Sequence, residues 1–396
     1  MQGVYELAMI GDGLAVGPDL VAAARSATAQ ALDALDGRPD LVCVFVCGDD
    51  QDEVRRAGEA AMARAGGAVT LGCSTGGVIG DGRGVELPNA VSVWAASLPG
   101  ARITPFELRT GRAAERLIVT GMVEPSPDDQ VALLLADPYT FPVDAFVERS
   151  ADVFDGLAFV GGVAGGESED VQMFAGGLAS DAGAVGVLLG GNLSVSTLVS
   201  QGCRPIGPTM TVTGCDGNVI TELAGKPALS RLEEIVSDLP DEDRPVIADG
   251  LQIGIAMDEY AEEHERGDFL VRGVVDIDSD SGSLTVGDVV EIGQTVRFQV
   301  RDPEIADEDL GHLLSTFLTE EDFGPVEGAL LFSCTGRGAD MFVTADHDVR
   351  AVRRRLGTRR VAGFFASGEI GPVGGRNHVH SYTASILAFG SAPPHD

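Results

Sequence analysis

The chain has 396 residues, 44% of them hydrophobic, enough for two or three packed domains and too much for a disordered polymer. Its formal net charge is −34, from 61 acidic against 27 basic residues, and Lys226 is the single lysine. Acid spread over a whole surface repels phosphate backbones and anionic bilayers, which excludes nucleic acid and membrane as partners.

Met1–Ile10 has no basic segment followed by an apolar core and a small-residue cleavage site, so no signal peptide is predicted. Gly11-Asp-Gly-Leu-Ala-Val-Gly17 misses the dinucleotide-binding spacing by one residue. The first apolar run, Leu41–Cys47, is continuous and β-branched, which suits a strand covered on both faces. A segment of helical spacing follows over Asp52–Ala65, then a strand running into a glycine-rich turn over Ala68–Gly77, then a strand over Ala90–Ala96. The same order returns twice. The second copy is Val131–Ala136, Val143–Val153, Leu157–Gly166 and Gly183–Leu189; the third is Gly328–Cys334, Val349–Leu356, Val361–Gly371 and Ser381–Phe389. Strand-helix-strand crossovers build parallel pairs and short glycine links add antiparallel ones, so the predicted fold is α/β with mixed sheets.

Between the second and third copies the composition changes. Asp216-Gly217-Asn218 is a turn signal between Met210–Thr213 and Val219–Ile220, and a helix is predicted over Ala228–Leu239. Asp268–Ile277 and Gln294–Asp302 alternate with period two, as half-buried antiparallel strands do, and are joined through the acidic Asp278–Gly282. Two modules are expected, 1–214 and 215–396. The six cysteines form no CxxC pair, and four lie in or beside apolar runs, which points to free buried thiols in a reducing compartment. No apolar run reaches the ~18 residues of a membrane span. A cytoplasmic protein is expected, and near-absence of lysine under dispersed acid fits a salt-rich cytoplasm, in which charges are screened within about 3 Å at molar salt.

Five segments, Gly72–Gly80, Gly267–Arg272, Phe298–Asp302, Phe332–Gly338 and Gly368–Pro372, with His380 and Thr383 downstream, together resemble the FIST family, in its N-terminal module followed by its C-terminal one, over about residues 30 to 390. The resemblance implies an intracellular sensor that binds a small ligand such as an amino acid and signals through a separate output protein. It supplies no catalytic residues.

Candidate site residues follow from chemistry. Glycine turns at strand ends let a ligand approach the backbone, which nominates Ser74, Gly76, Gly77 and Gly165. At the end of the next such strand Cys334, Arg337 and Gly338 join the candidate ligand-binding set, Arg337 offering a fork for a carboxylate, and Glu369 an acceptor for an ammonium group. His378 and His380 share one strand face, and His380 joins the candidate set. Arg272 and Arg301 are expected in structural ion pairs. The favoured ligand is a small amino acid or related carboxylate, with no cofactor and no metal; Asp346-His-Asp348 falls short of a ligand set. A hydrolase or acyl-transfer enzyme using Ser74, within Gly72-Cys-Ser-Thr-Gly76, or Cys334 is the alternative, and a non-catalytic scaffold the third reading.

Overall fold

The computed structural model describes residues 8–86, 88–113, 116–166, 170–240, 244, 247, 250–259, 261, 264, 268–319 and 323–390; Gly267, which opens one of the motifs above, lies outside them. The chain clusters into two compact bodies. The larger is Met1–Ser200, Gly311–Val379 and Thr383–Asp396, and the smaller Gln201–Leu310 with His380–Tyr382. The junction expected at 214/215 falls within the smaller body.

The larger body holds the three αβ copies. Each has an opening strand, a central strand, a helix, a parallel neighbour, a two-stranded hairpin and a closing strand. In the first these are Met9–Val16, Leu41–Cys47, Gln51–Arg64, Val69–Ser74, Val78–Gly80 with Arg83–Val85, and Ala90–Ser97. In the second they are Ala101–Ala113, Asp129–Ala136, Val143–Val153, Ala158–Val163, Met173–Ala175 with Leu178–Ser180, and Ala184–Gly191. In the third they are Ser194–Gln201, Val326–Cys334, His347–Leu356, Val361–Ala366, Glu369–Val373 with Arg376–His380, and Thr383–Gly390. The predicted apolar runs are thus all strands, and the mixed α/β fold holds. What looked like simple glycine turns are hairpins.

Each copy builds one sheet in the same order, opening, closing, central and neighbour strand, but the edge comes from elsewhere. The second copy's hairpin pairs with Val69–Ser74 of the first, the third's with Ala158–Val163 of the second, and the first's with Val361–Ala366 of the third. The exchange is cyclic. Gly72, Gly161 and Gly363 occupy the matching position in the three neighbour strands, where an added Cβ would fall onto the carbonyl oxygens of Val44, Leu134 and Leu331. The glycines are required by this close backbone approach.

The inner faces of the sheets share one apolar core. Phe45 packs against Phe364 with tilted rings and centroids 5.0 Å apart and meets Phe332 edge-on at 6.4 Å, and Trp94 lies 4.8 Å from Phe389. The outer face of the first sheet is covered by Gln51–Arg64 and by Leu20–Leu32, helices capped by Asp50 and Asp19, whose side chains accept from Glu53 N–H and Ala22 N–H. Gly11 and Gly13 lie beneath Ala31 and Ala27 of that second helix, whose carbonyl oxygens leave no room for a side chain. The near-match to a dinucleotide motif is therefore a packing device.

In the smaller body, Met210–Asp216, Val219–Leu223, Ser283–Val286, Phe269–Asp278, Leu251–Ala256 and Thr295–Arg301 pair successively, and the last returns to the first, closing a circuit of antiparallel strands. The expected alternating strands do not pair with each other; both flank Leu251–Ala256, which the sequence reading passed over. The expected helix, observed as Ala228–Asp238, buries Leu232 and Ile235 in this core. Arg272 is ion-paired as expected, its Nε 2.8 Å from Asp288 Oδ2, and Arg301 lies over the Tyr382 ring.

Candidate functional site

Central and neighbour strands of each copy run parallel, so their C-terminal ends gather at one side of the larger body. There the glycine-rich turns are knitted together. Thr75 Oγ1 donates to Phe365 O at 3.1 Å, Ser367 N–H donates to Val163 O at 3.0 Å, and Gln172 N–H donates to Ser74 Oγ at 2.9 Å. First copy is tied to third, third to second, and second to first.

A crevice of about 170 Å³ opens between the first and second copies at this end. Ser74, Gly76 and Gly165 of the expected set line it, as do Thr75, Gly166, Asp49, Gln51, Glu86 and Asp170, which sequence reasoning did not single out. Gly77 is buried just beneath, against Phe365 and the backbone of Glu86. Gln51 is the first residue of its helix, so the positive end of the helix dipole faces the crevice. The N–H groups of Gly76, Gly165 and Gly166 have no acceptor among the described residues, and the buried Gln51 Oε1 has no donor there. Asp49, Glu86 and Asp170 are the charged residues of the lining. Backbone donors open to a ligand, those of the exposed Gly76 and Gly166 and the buried Gly165, thus share a small space with a helix N-terminus and carboxylates. That combination suits a molecule carrying both charges.

A second group of expected residues lies in the third copy. Arg337 is buried, and its Nε and Nη2 engage Asp348 Oδ2 and Oδ1 at 2.8 and 2.9 Å. Ser333 Oγ donates to Asp348 at 2.6 Å, and the His347 ring, 2.9 Å from Asp348, stacks on Phe342 with centroids 3.6 Å apart. Burial alone would raise the Asp348 carboxyl, but the Arg337 charge with the His347 and Ser333 hydrogen bonds outweighs it and holds Asp348 well below the usual range. The fork expected to take a ligand carboxylate faces an internal one. Asp346, for its part, receives Gly84 N–H at 2.9 Å and pairs with Arg350 at 2.6 Å.

Glu369 is fully buried beside this pair. Its Oε2 accepts from Thr383 N–H at 3.1 Å and Thr383 Oγ1 at 2.9 Å, and the Cys334 thiol hydrogen-bonds the same group. Burial pushes its pKa up to about 8 despite these bonds and the nearby Arg337 charge. Cys334, Arg337 and Glu369 are therefore brought together. Gly338 leads from this group to the crevice: the Glu86 carboxylate crowds it and accepts Ala339 N–H at 2.9 Å. His380 falls in the smaller body. Ser74 is followed by a strand, not by the helix of a nucleophile elbow, and its Oγ accepts the Gln172 N–H.

Comparison with known proteins decides the family. The FIST N domain matches residues 40–226 and the FIST C domain residues 228–372. The chain belongs to the FIST family. FIST domains are sensory, small-ligand-binding domains of signal transduction. The chain is 41% identical to the uncharacterized protein Rv0628c of Mycobacterium tuberculosis over 384 residues, 96% of this chain and 99% of that one. It is 39% identical to the uncharacterized protein Mb0898c of Mycobacterium bovis over 383 residues, 96% of this chain and 98% of that one. The segments Gly72–Gly80 and Phe332–Gly338 run through the C-terminal ends of the strands Val69–Ser74 and Val326–Cys334. Among the described residues no helix is long and apolar enough to cross a membrane.

Proposed function

We propose that this FIST protein senses a small amino acid, bound in the crevice between the glycine turns of the first and second αβ copies. The observation that carries the reading is that, among the described residues, the N–H groups of Gly76, Gly165 and Gly166 have no acceptor and the buried Gln51 Oε1 has no donor, and that these groups share about 170 Å³ with three carboxylates. The ligand carboxylate lies against the turns and the helix N-terminus, and its ammonium group faces Asp49, Glu86 and Asp170. Occupation biases the chain toward the conformation in which both turns hold the ligand, and a separate output protein reads that bias.

A thermal-shift panel of the common amino acids, dicarboxylates and nucleotides in molar potassium chloride tests this. A ligand at 100 times its Kd stabilises the fold by about 2.7 kcal/mol. Small amino acids are expected to give that shift. Stabilisation by nucleotides or dicarboxylates alone contradicts the reading.

A further inference from the structure

The three copies differ in the link between central strand and helix. In the first the link is residues 48–50, in the second 137–142 and in the third 335–346, so it grows from three residues to six to twelve. Links of about two to six residues suffice for such connections, and the third is longer than the crossover requires. It is fixed within its own copy by Arg337, which Asp348 holds, and by Phe342, which stacks on His347 and whose N–H donates to Gly338 O at 3.0 Å. Other residues of the link lie against the first copy. Ala339 N–H donates to Glu86 Oε2 at 2.9 Å, the Ala345 carbonyl lies against Gly84, and Asp346 Oδ1 receives Gly84 N–H at 2.9 Å. Ala339, Asp340 and Val343 are exposed, Val343 entirely.

Glu86 belongs to both places. It follows the strand Arg83–Val85, lines the crevice, and holds the third copy's link through Ala339. Its side chain is exposed, so holding Ala339 costs it rotamer freedom in the empty chain. A carboxylate offers about four acceptor positions, of which Ala339 N–H uses one. An ammonium group in the crevice takes another in a charge-assisted bond and fixes the side chain. Once fixed, the same carboxylate holds Ala339 with no further loss of freedom, and the two bonds reinforce each other. We infer that Glu86 couples occupation of the crevice to the order of residues 338–346, and that this segment is the surface on which the output protein reads the bound state. The inference rests on the crevice being the amino-acid site. Coupling of this kind is reciprocal, so a change that frees the segment weakens the ligand by the same factor.

Hydrogen–deuterium exchange of the full chain, followed by mass spectrometry with and without a saturating mixture of the common amino acids in molar potassium chloride, tests the coupling. The mixture is expected to slow exchange in the two glycine turns, residues 74–77 and 163–166, and by about fivefold or more over 338–346, although residues 339–346 do not line the crevice. Two variants cut the connection. Glu86→Ala removes the carboxylate at an exposed position, and Gly338→Ala, at a φ of −80° that alanine adopts freely, sets a Cβ where the Glu86 carboxylate lies. Each should speed exchange over 338–346 in the empty chain and abolish its slowing by the mixture, with the turns still protected at saturation and the strand Leu41–Cys47 unchanged. Protected turns with no change over 338–346 in wild type overturn the inference and leave the crevice reading standing. Slowing over 338–346 that survives Glu86→Ala also overturns it, because another route then carries the signal. If the turns are not protected either, the crevice holds none of these amino acids, and the reading and the inference fall together.

Discussion

Glu369 stands at a position where the other copies are apolar. Its partner in the ladder is Gly162; at the matching place the first hairpin pairs Val78 with Phe364 and the second pairs Met173 with Cys73. A buried carboxylic acid with its pKa near 8 keeps its proton in the folded chain at pH values where the unfolded chain has lost it. The folded state then binds more protons, so this contribution to stability is complete below about 4.5 and fades as pH rises through about 8. Denaturant titrations from pH 5 to 8.5 should show the Glu369→Gln chain gaining stability on wild type as pH rises. A pH-independent difference would mean that Glu369 is ionised in the fold. Arg337 gives a second residue-scale expectation. Arg337→Ala strands Asp348 in the interior and should cost about 3–5 kcal/mol of unfolding free energy. A loss below about 1 kcal/mol would show that the pair is not buried.

At the scale of elements, the cyclic exchange of hairpins makes the three copies depend on one another. A chain ending at residue 200 keeps the first two copies but leaves the second sheet without its edge hairpin, Glu369–His380, and the first hairpin, Val78–Val85, without its sheet. It also exposes Phe45 where Phe332 and Phe364 cover it. Such a fragment should lack a cooperative thermal transition in circular dichroism. A sharp transition near that of the full chain would contradict the exchange. The central strands were legible in the sequence because continuous apolarity over Leu41–Cys47 or Gly328–Cys334 has few other meanings, and the helix Val143–Val153 was read to the residue. The exchange was not. Val78–Gly80 and Met173–Ala175 are three residues long, too short for period-two alternation to register, and their partners are set by tertiary contact alone. The crevice was half legible for a related reason. Strand-end glycines point to Gly76 and Gly165, whereas Asp49, Glu86 and Asp170 are ordinary surface acids until the fold draws them to one opening. Arg337 was noticed as a fork, but its partner Asp348 lies a loop away and became visible only with the structure.

For the whole molecule, charge governs conditions. With −34 spread over one chain, self-repulsion opposes compaction, and salt relieves it as the screening length falls from about 10 Å at 0.1 M to about 3 Å at 1 M. The melting temperature should rise between 0.1 and 2 M potassium chloride and level off as screening saturates. A flat or falling curve would show that the acids are already compensated within the fold. The apolar core formed by three sheets holds the chain together in either case, and the crevice opens where their strand ends meet. The most direct measurement of the sensing role is therefore calorimetric titration, in molar salt, of the amino acid that stabilises the chain most. Wild type, Asp49→Asn and Gly76→Val would be compared. An added Cβ at Gly76 meets no atom closer than 3.7 Å, so a side chain there starts without a backbone clash and extends toward the crevice. Saturable binding to wild type, at least tenfold weaker in Asp49→Asn and undetectable in a folded Gly76→Val chain, is the predicted result. Equal affinity in all three would place the ligand elsewhere and contradict the assignment of the crevice as the sensing site.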